Sequence, residues 1–490
     1  MLNKKITPQS GIKKIIFIGA ELNPLVKVGG LADVMGALPK ALLKLDIEPL
    51  LILPFYGAIN KQLYPSKLVK ANLKFPHTKV IFSVYQTLLP KTKIKILLIK
   101  NKFFDTQEVY LPASPNRGEL KNDAERFAVF AKCAVEAIKV LNLKPDLVHC
   151  HDWHTALVPT ILDEYSLADK NFANIPTLLT IHNLASQGLS SLELVYQVAL
   201  NKKLTPALME DYYDDDKLDQ LKIGILSADM INTVSPTYAQ EILTKAYGAG
   251  LEKYLQRRKK NLKGILNGID VDFFNPHTDK LIYKKYNINN YQAAKLFNKQ
   301  ALQKELKLAE KNVPIFAIIS RLVSQKGLDI LSPLWEKFLS YDLQIVILGT
   351  GDKKYEAELA ILNKKYPKKF RAILKFDATL AQKIYAGADF FLMPSHFEPC
   401  GLGQMIAMRY GTLPLVRETG GLKDSVRHKK TGLVFTKYDS KDLEQTWQQA
   451  LKIFADKKVL AKMIKAAMSQ DFSWDKSALE YVKIYKKLIK

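Results

Sequence analysis

The sequence predicts an α/β protein made of two doubly wound, Rossmann-like domains facing a deep cleft. Short β-rich apolar runs alternate with helical patterns throughout, as the βαβ units of a parallel sheet do. The alternation is interrupted by one turn-rich tract and then starts again. A chain of 490 residues is also long enough to bury two large cores.

Taken in order, the first half offers strands at 13–20 ("KKIIFIGA"), 49–54, 93–100, 145–151, 176–182 and 230–235. Between them lie helices such as 123–141, where Phe127, Phe130, Ala134, Ile138 and Leu141 recur at helical spacing. The tract 265–279, "ILNGIDVDFFNPHTD", carries Asn-Gly and Asn-Pro turn signals. It marks the boundary between a first domain, 1–264, and a second, 265–473. Strands then resume at 314–320, 343–349, 371–376, 390–395 and 412–417. Open α/β sheets bind ligands beyond the carboxyl ends of their strands, so the site is expected in the loops that follow these runs.

Composition narrows the function. Hydrophobic residues make up 48% and charged residues 25%, which describes a globular chain and not a fibrous or disordered one. The apolar run near the amino terminus, Ile15 to Ala20, stops at Glu21 and is too short for a secretory signal. No run reaches the roughly 18 apolar residues of a spanning helix, so a cytoplasmic location without membrane attachment is expected. Cys133, Cys150 and Cys400 have no CxxC spacing, which argues against a disulfide framework or zinc ribbon. The net charge of +25 comes from lysine: only nine of the 73 basic residues are arginines. No basic tract is interleaved with aromatics, so a lysine-rich surface is the expectation and a nucleic-acid partner is not. Arginine is thereby the informative cation, and Arg321, Arg409 and Arg417 all lie in motif-bearing loops or helices.

Six constellations bear chemistry. "NPLVKVGGLADV" joins a strand to a helix and combines Lys27 with Gly29 and Gly30, whose bare backbone permits unusual dihedrals and close approach of an anion. "VHCHDWH", 148–154, gathers three histidines with Asp152 and Trp153 at a strand end. It suits either a metal or a sugar, with Asp152 accepting hydroxyls and Trp153 offering a ring face. "TIHNLASQG" ends a strand in His182 and Asn183. "ISRLVSQKG" sets Arg321 and Lys326 where two cations can hold a diphosphate without a metal ion, and "SHFEPCGLGQ" places Glu398 before a glycine-punctuated turn. "RETGGLKDSV" repeats the Gly-Gly-Leu theme at Gly420 and Gly421.

In this order the motifs resemble those of the bacterial glycogen synthase and plant starch synthase family, which are retaining glycosyltransferases of the two-domain GT-B fold. The resemblance extends from about residue 13 to the "FSWDKSALEYVKIY" tail. It implies transfer of glucose from ADP-glucose to the non-reducing end of an α-1,4-glucan, glycogen or a maltooligosaccharide, with no cofactor and no metal. It puts His182, Arg321, Lys326 and Glu398 in catalytic positions. Lys27, Gly29, Gly30, Asp33, Asp152, Trp153, Asn183, Asn267, Phe376, Cys400, Gly401, Leu402, Thr419, Gly420 and Gly421 fall in substrate-binding ones. It also implies that the last helix, 474–490, packs back onto the first domain. His396, Gly403 and Ile406 depart from the family's usual residues, and Phe376 stands where a base-stacking tyrosine is usual. The alternatives are a transferase with another nucleotide sugar or acceptor, a non-catalytic glucan-binding relative, and a metal hydrolase using the histidine cluster.

Overall fold

The computed structural model describes residues 11–74, 80–111, 122–173, 175–191 and 217–489. They fall into two compact units. The first comprises residues up to Val234, Ala239–Ile265 and the chain from Trp474 onward; the second comprises Ser235–Tyr238 and Leu266–Ser473.

The strands of the first unit are β1 (Lys14–Ile18), β2 (Glu48–Pro54), β3 (Lys67–Lys74), β4 (Ile81–Leu88), β5 (Lys95–Lys100), β6 (Leu147–His151), β7 (Thr177–Ile181), β8 (Leu189–Ser191), β9 (Lys217–Asp219), β10 (Met230–Thr233) and β11 (Leu262–Gly264). Nine of them form one sheet in the order β11-β10-β7-β6-β1-β2-β5-β4-β3. From β11 to β5 every pairing is parallel, and only β4 and β3 run antiparallel at one edge. The parallel strands are the continuous apolar runs that sheets covered on both faces demand. Ile15 to Ile18 of β1 have no exposed surface.

The edge pair β3–β4 is absent from the sequence reading. "KLVKANLK" of β3 is lysine-rich, bulged and exposed along almost its whole length, so it shows no apolar period; charged residues suit an unpaired edge. β4 does alternate, burying Phe82, Val84 and Thr87. The Gly30–Leu43 helix runs on through Pro39, which is buried within it. The Trp474–Leu488 helix joins this unit, burying Trp474, Tyr481, Val482, Ile484 and Tyr485.

The second unit holds β12 (Ile315–Ile319), β13 (Gln344–Leu348), β14 (Phe370–Ile373), β15 (Phe390–Met393), β16 (Leu413–Arg417) and β17 (Leu433–Phe435). All are parallel, in the order β14-β13-β12-β15-β16-β17. Numbered within the unit this is 3-2-1-4-5-6, the order of dinucleotide-binding sheets, in which the connection reverses between the first and fourth strands. Its core centres on Trp447, stacked between Phe316 at 4.1 Å and Phe338 at 3.7 Å.

Candidate active site

In the first unit the strand order reverses at β1, which has β2 on one side and β6 on the other. The loops leaving β1 and β6 therefore open at the crevice where ligands of such sheets bind.

The loop after β1 is pinned from inside by Glu21, a residue the motif reading passed over. Glu21 is buried, and its Oε2 accepts the amides of Val28 and Gly29, both at 2.7 Å. Its Oε1 accepts the Tyr110 hydroxyl at 2.7 Å. The Gly29 amide is thus already held by a carboxylate. Gly29 has extended backbone, φ −133° and ψ −166°, and neither it nor Gly30 has positive φ; the expected unusual dihedrals are not there. Nor does packing require glycine. A Cβ at Gly29 would come no nearer than 3.8 Å to Glu21, and one at Gly30 would meet nothing within 4 Å. Lys27 is exposed and ion-paired with Asp33, Nζ lying 2.7 Å from Oδ1 and 2.8 Å from Oδ2. Asn23 Nδ2 donates to the same Asp33 Oδ1 at 3.2 Å. A partly exposed pair of this kind contributes only about 0–1 kcal/mol, so the ammonium is easily released to an anion.

Beyond β6, Asp152 adopts φ +56°. A non-glycine residue held there stores roughly 1–3 kcal/mol of strain. The conformation is held by its own amide on Thr180 O at 2.8 Å and by its Oδ1, which accepts the His182 amide at 2.6 Å and the Asn183 amide at 3.4 Å. Burial pushes the carboxyl up to about 7, with those amides opposing and Glu21 adding to the rise. Trp153 does not offer a ring face. It is 9% exposed, stacks on His154 at 4.0 Å and meets Phe127 edge-on at 5.3 Å. Its ring also lies where a Cβ of Gly188 would fall, at 2.4 Å. Trp153 is a wedge beneath the loop, since both faces are committed to the protein.

The histidines are engaged with one another and with neighbouring side chains. His149 uses both ring nitrogens in hydrogen bonds, Nδ1 with Tyr485 Oη at 3.0 Å and Nε2 with Thr180 Oγ1 at 2.6 Å. Among the described residues no group of three or more His, Cys, Asp or Glu side chains is arranged to hold a metal ion. His151 Nδ1 instead lies 3.0 Å from Nε2 of His182, on the neighbouring strand's end. Burial takes His182 down to about 3, so its imidazole is neutral.

In the second unit the reversal lies between β12 and β15, and the two loops named by sequence meet there. Lys326 and Glu398 form an ion pair at 2.6 Å, 18% and 9% exposed, and the Ser395 hydroxyl donates to the same Glu398 oxygen at 3.1 Å. Arg321 is exposed just after β12. Gly327 takes φ +78°, and a Cβ there would strike Pro394 O at 2.1 Å, so glycine lets the two loops meet; the His396 amide joins them by donating to Gln325 O at 2.9 Å. Arg417 is buried and holds the Ser395 and His396 carbonyls. Arg409 does the same for Phe274 and Val271. Of the three arginines singled out, two therefore brace backbone and only Arg321 is presented outward.

Gly420 and Gly421 resemble the opening glycine pair only in sequence. A Cβ at Gly420, φ +42°, would lie 2.0 Å from Glu398 O, and one at Gly421 2.1 Å from Cys400 O. Both, with buried Thr419, press the Glu398–Gly401 loop into shape. Gly401 has φ +70°, and Leu402 precedes the Gly403–Arg409 helix. A side chain at Gly403 would push on the buried Phe391 ring, which lies 2.8 Å from where its Cβ would be. Asn267 and Cys400 are buried, and burial pushes the Cys400 thiol up to about 12. Phe376, in the turn after β14, is 89% exposed.

Comparison with known proteins places these arrangements. Residues 14–257 match the family model "Starch synthase catalytic domain", and residues 299–470 match "Glycosyl transferases group 1". The glycogen synthase of Thermosipho africanus is 45% identical over 491 residues, covering 97% of this chain and 99% of that protein. The chain belongs to the glycogen and starch synthase family. The Thermosipho melanesiensis glycogen synthase is 44% identical over 485 residues, with 97% and 98% covered. Among solved structures, the catalytic domain of starch synthase IV from Arabidopsis thaliana, bound to ADP and acarbose, superposes with a TM-score of 0.88 at 31% identity. That match covers 98% of this chain and 100% of that one. Like other members of this family, the protein has the two Rossmann-like domains of GT-B glycosyltransferases.

Proposed function

We infer that the protein transfers glucose from ADP-glucose to the non-reducing end of an α-1,4-glucan, keeping the anomeric configuration. The observation that carries this is the Lys326–Glu398 pair, set at the reversal point of a 3-2-1-4-5-6 sheet in a full-length relative of glycogen synthases. Cleaving the sugar–phosphate bond drives negative charge onto the departing diphosphate, and positive groups fixed beforehand stabilise it most. Arg321 and Lys326 supply that charge, and Glu398 with Ser395 holds the lysine in place. In the first unit, Lys27 is a cation that an anionic substrate group can draw from Asp33, and Gly30 leaves the backbone beside it bare. Exposed Phe376 suits stacking on the base. Neutral His182 is the group of the first unit we assign to the reacting sugar, and Asp152 holds its backbone in place.

In this reading fixed cations do the work of a divalent ion, so transfer persists in chelator. The ADP carried by the Arabidopsis starch synthase IV supports an adenine nucleotide. No helix among the described residues is long and apolar enough to cross a membrane. The test is incubation with ADP-glucose or UDP-glucose plus maltooligosaccharides, reading nucleoside diphosphate release and chain growth. Growth with ADP-glucose and not UDP-glucose, undiminished by EDTA, is the expected result. Release without growth would overturn the acceptor assignment.

A further inference from the structure

The buried histidines beneath the first unit's site form a hydrogen-bond arrangement whose proton positions can be deduced. Thr180 Oγ1 donates to Asn232 Oδ1 at 2.5 Å, so it has no proton left for His149 and must accept from His149 Nε2. His149 Nδ1 then accepts from the Tyr485 hydroxyl, while Asn232 Nδ2 donates to Tyr481 Oη at 3.2 Å. Every ring nitrogen of His149 is satisfied, and its tautomer is fixed by residues of β7, β10 and the Trp474–Leu488 helix.

His151 is fixed differently. It packs against His149 at 4.2 Å and lies parallel to Phe17 at 5.9 Å. Among the described residues its Nε2 is buried with no hydrogen-bond partner, and its Nδ1 meets Nε2 of His182 alone. A ring with one proton must choose between them. Placing it on Nε2 would strand a buried N–H donor, the rarer and costlier kind of orphan. Placing it on Nδ1 leaves only an unused lone pair inside and makes the bond to His182. The proton therefore sits on Nδ1, and His182 Nε2 accepts.

We propose that His151 is a positioning residue that donates from Nδ1 to Nε2 of His182 and so holds His182 as its Nδ1–H tautomer. The imidazole then meets the sugar as a hydrogen-bond donor and not as a base. Asp152 fixes the His182 backbone through its amide, and the contact with His151 fixes the ring. This rests on the reading that His182 faces the substrate, but the tautomer itself does not.

The test uses the full chain with its eight histidines labelled with nitrogen-15. Two-bond nitrogen–proton correlation spectra distinguish the two neutral tautomers, and the His182 signals are those lost in His182→Asn. An Nδ1–H pattern for His182 in the unaltered protein is expected; an Nε2–H pattern or an imidazolium overturns the proposal without recourse to any His151 variant. In His151→Leu the donor is gone, so kcat falls about 10- to 100-fold while the KM for nucleotide sugar stays within twofold, and the His182 signals turn to a tautomer mixture. His151→Asn places an amide N–H where Nδ1–H stood, and it restores both the Nδ1–H pattern and most of the rate. Equal rates in the leucine and asparagine variants would also overturn the proposal. A His182→Asn enzyme of normal rate would instead remove His182 from the reaction and leave the tautomer assignment standing.

Discussion

Lys326 and Glu398 separate two quantities that single substitutions confuse. Lys326→Ala removes a cation from the diphosphate site and should lower kcat by roughly 10²- to 10³-fold. It also leaves Glu398 buried and unpaired, which costs stability, about 3 kcal/mol or more. Adding Glu398→Gln should restore the melting temperature without restoring turnover, as paired thermal and kinetic measurements will show; a rescued rate would mean that the pair is only structural. Arg321→Ala is the simpler case. The guanidinium is exposed, so the unfolding midpoint should stay within about 0.5 kcal/mol of the parent while kcat/KM drops. At this scale the sequence marks candidate positions and is silent about how they pair. Lys27, Lys326 and Glu398 stand out because each follows a recognisable apolar strand. Lys326 with Glu398, and His151 with His182, meet only because β12 neighbours β15 and β6 neighbours β7, and sheet order is not written in a local pattern. Glu21 was missed because a carboxylate closing an apolar run looks like the end of a strand. Trp153 was misread because a tryptophan beside histidines carries no mark of which way its faces are covered.

The two glycine pairs show how one local motif serves different ends. Gly420→Ala would put a methyl 2.0 Å from Glu398 O in a left-handed conformation and should cost about 1–3 kcal/mol. Gly30→Ala meets nothing, so its stability should be unchanged within about 0.5 kcal/mol; its defect should appear as a raised KM for the nucleotide sugar. Chemical denaturation beside steady-state kinetics checks both, and a destabilised Gly30→Ala with normal KM would reverse the assignment. The long central strands came through because their apolar runs are forced by burial on both faces. The short strands β8, β9, β11 and β17 did not, and neither did the β3–β4 edge, because β3 is exposed along almost its whole length and its lysines answer to solvent instead of a core.

Across the whole molecule, protons and chain connectivity set two further expectations. Four histidines, His149, His151, His154 and His182, are held below their ordinary value by burial, the last two to about 3. Each takes up a proton on unfolding below pH 6.5, so each withdraws stability as pH falls. Asp152, Asp163 and Asp219, raised by burial to about 7, about 6 and about 6, act in the opposite sense, gaining stability as pH falls through those values. Four imidazoles outweigh three carboxyls by a narrow margin. Stability should therefore drop by roughly 1–3 kcal/mol per pH unit between pH 6.5 and 5, and a urea midpoint that rises over that interval would refute the balance. Removing residues 474–490 should lower the unfolding temperature of the first unit and spare the second, because Tyr481 and Tyr485 lie buried in the first; scanning calorimetry of the shortened chain would show which transition moves.

That last helix also sets a timetable. Residues 266–473 are contiguous and can settle as soon as they clear the ribosome, whereas the half begun earlier waits for a segment translated some two hundred residues later. Until it arrives, the face that will receive Tyr481 and Tyr485 stays open, and the nascent protein is most exposed to chaperones and proteases during that delay.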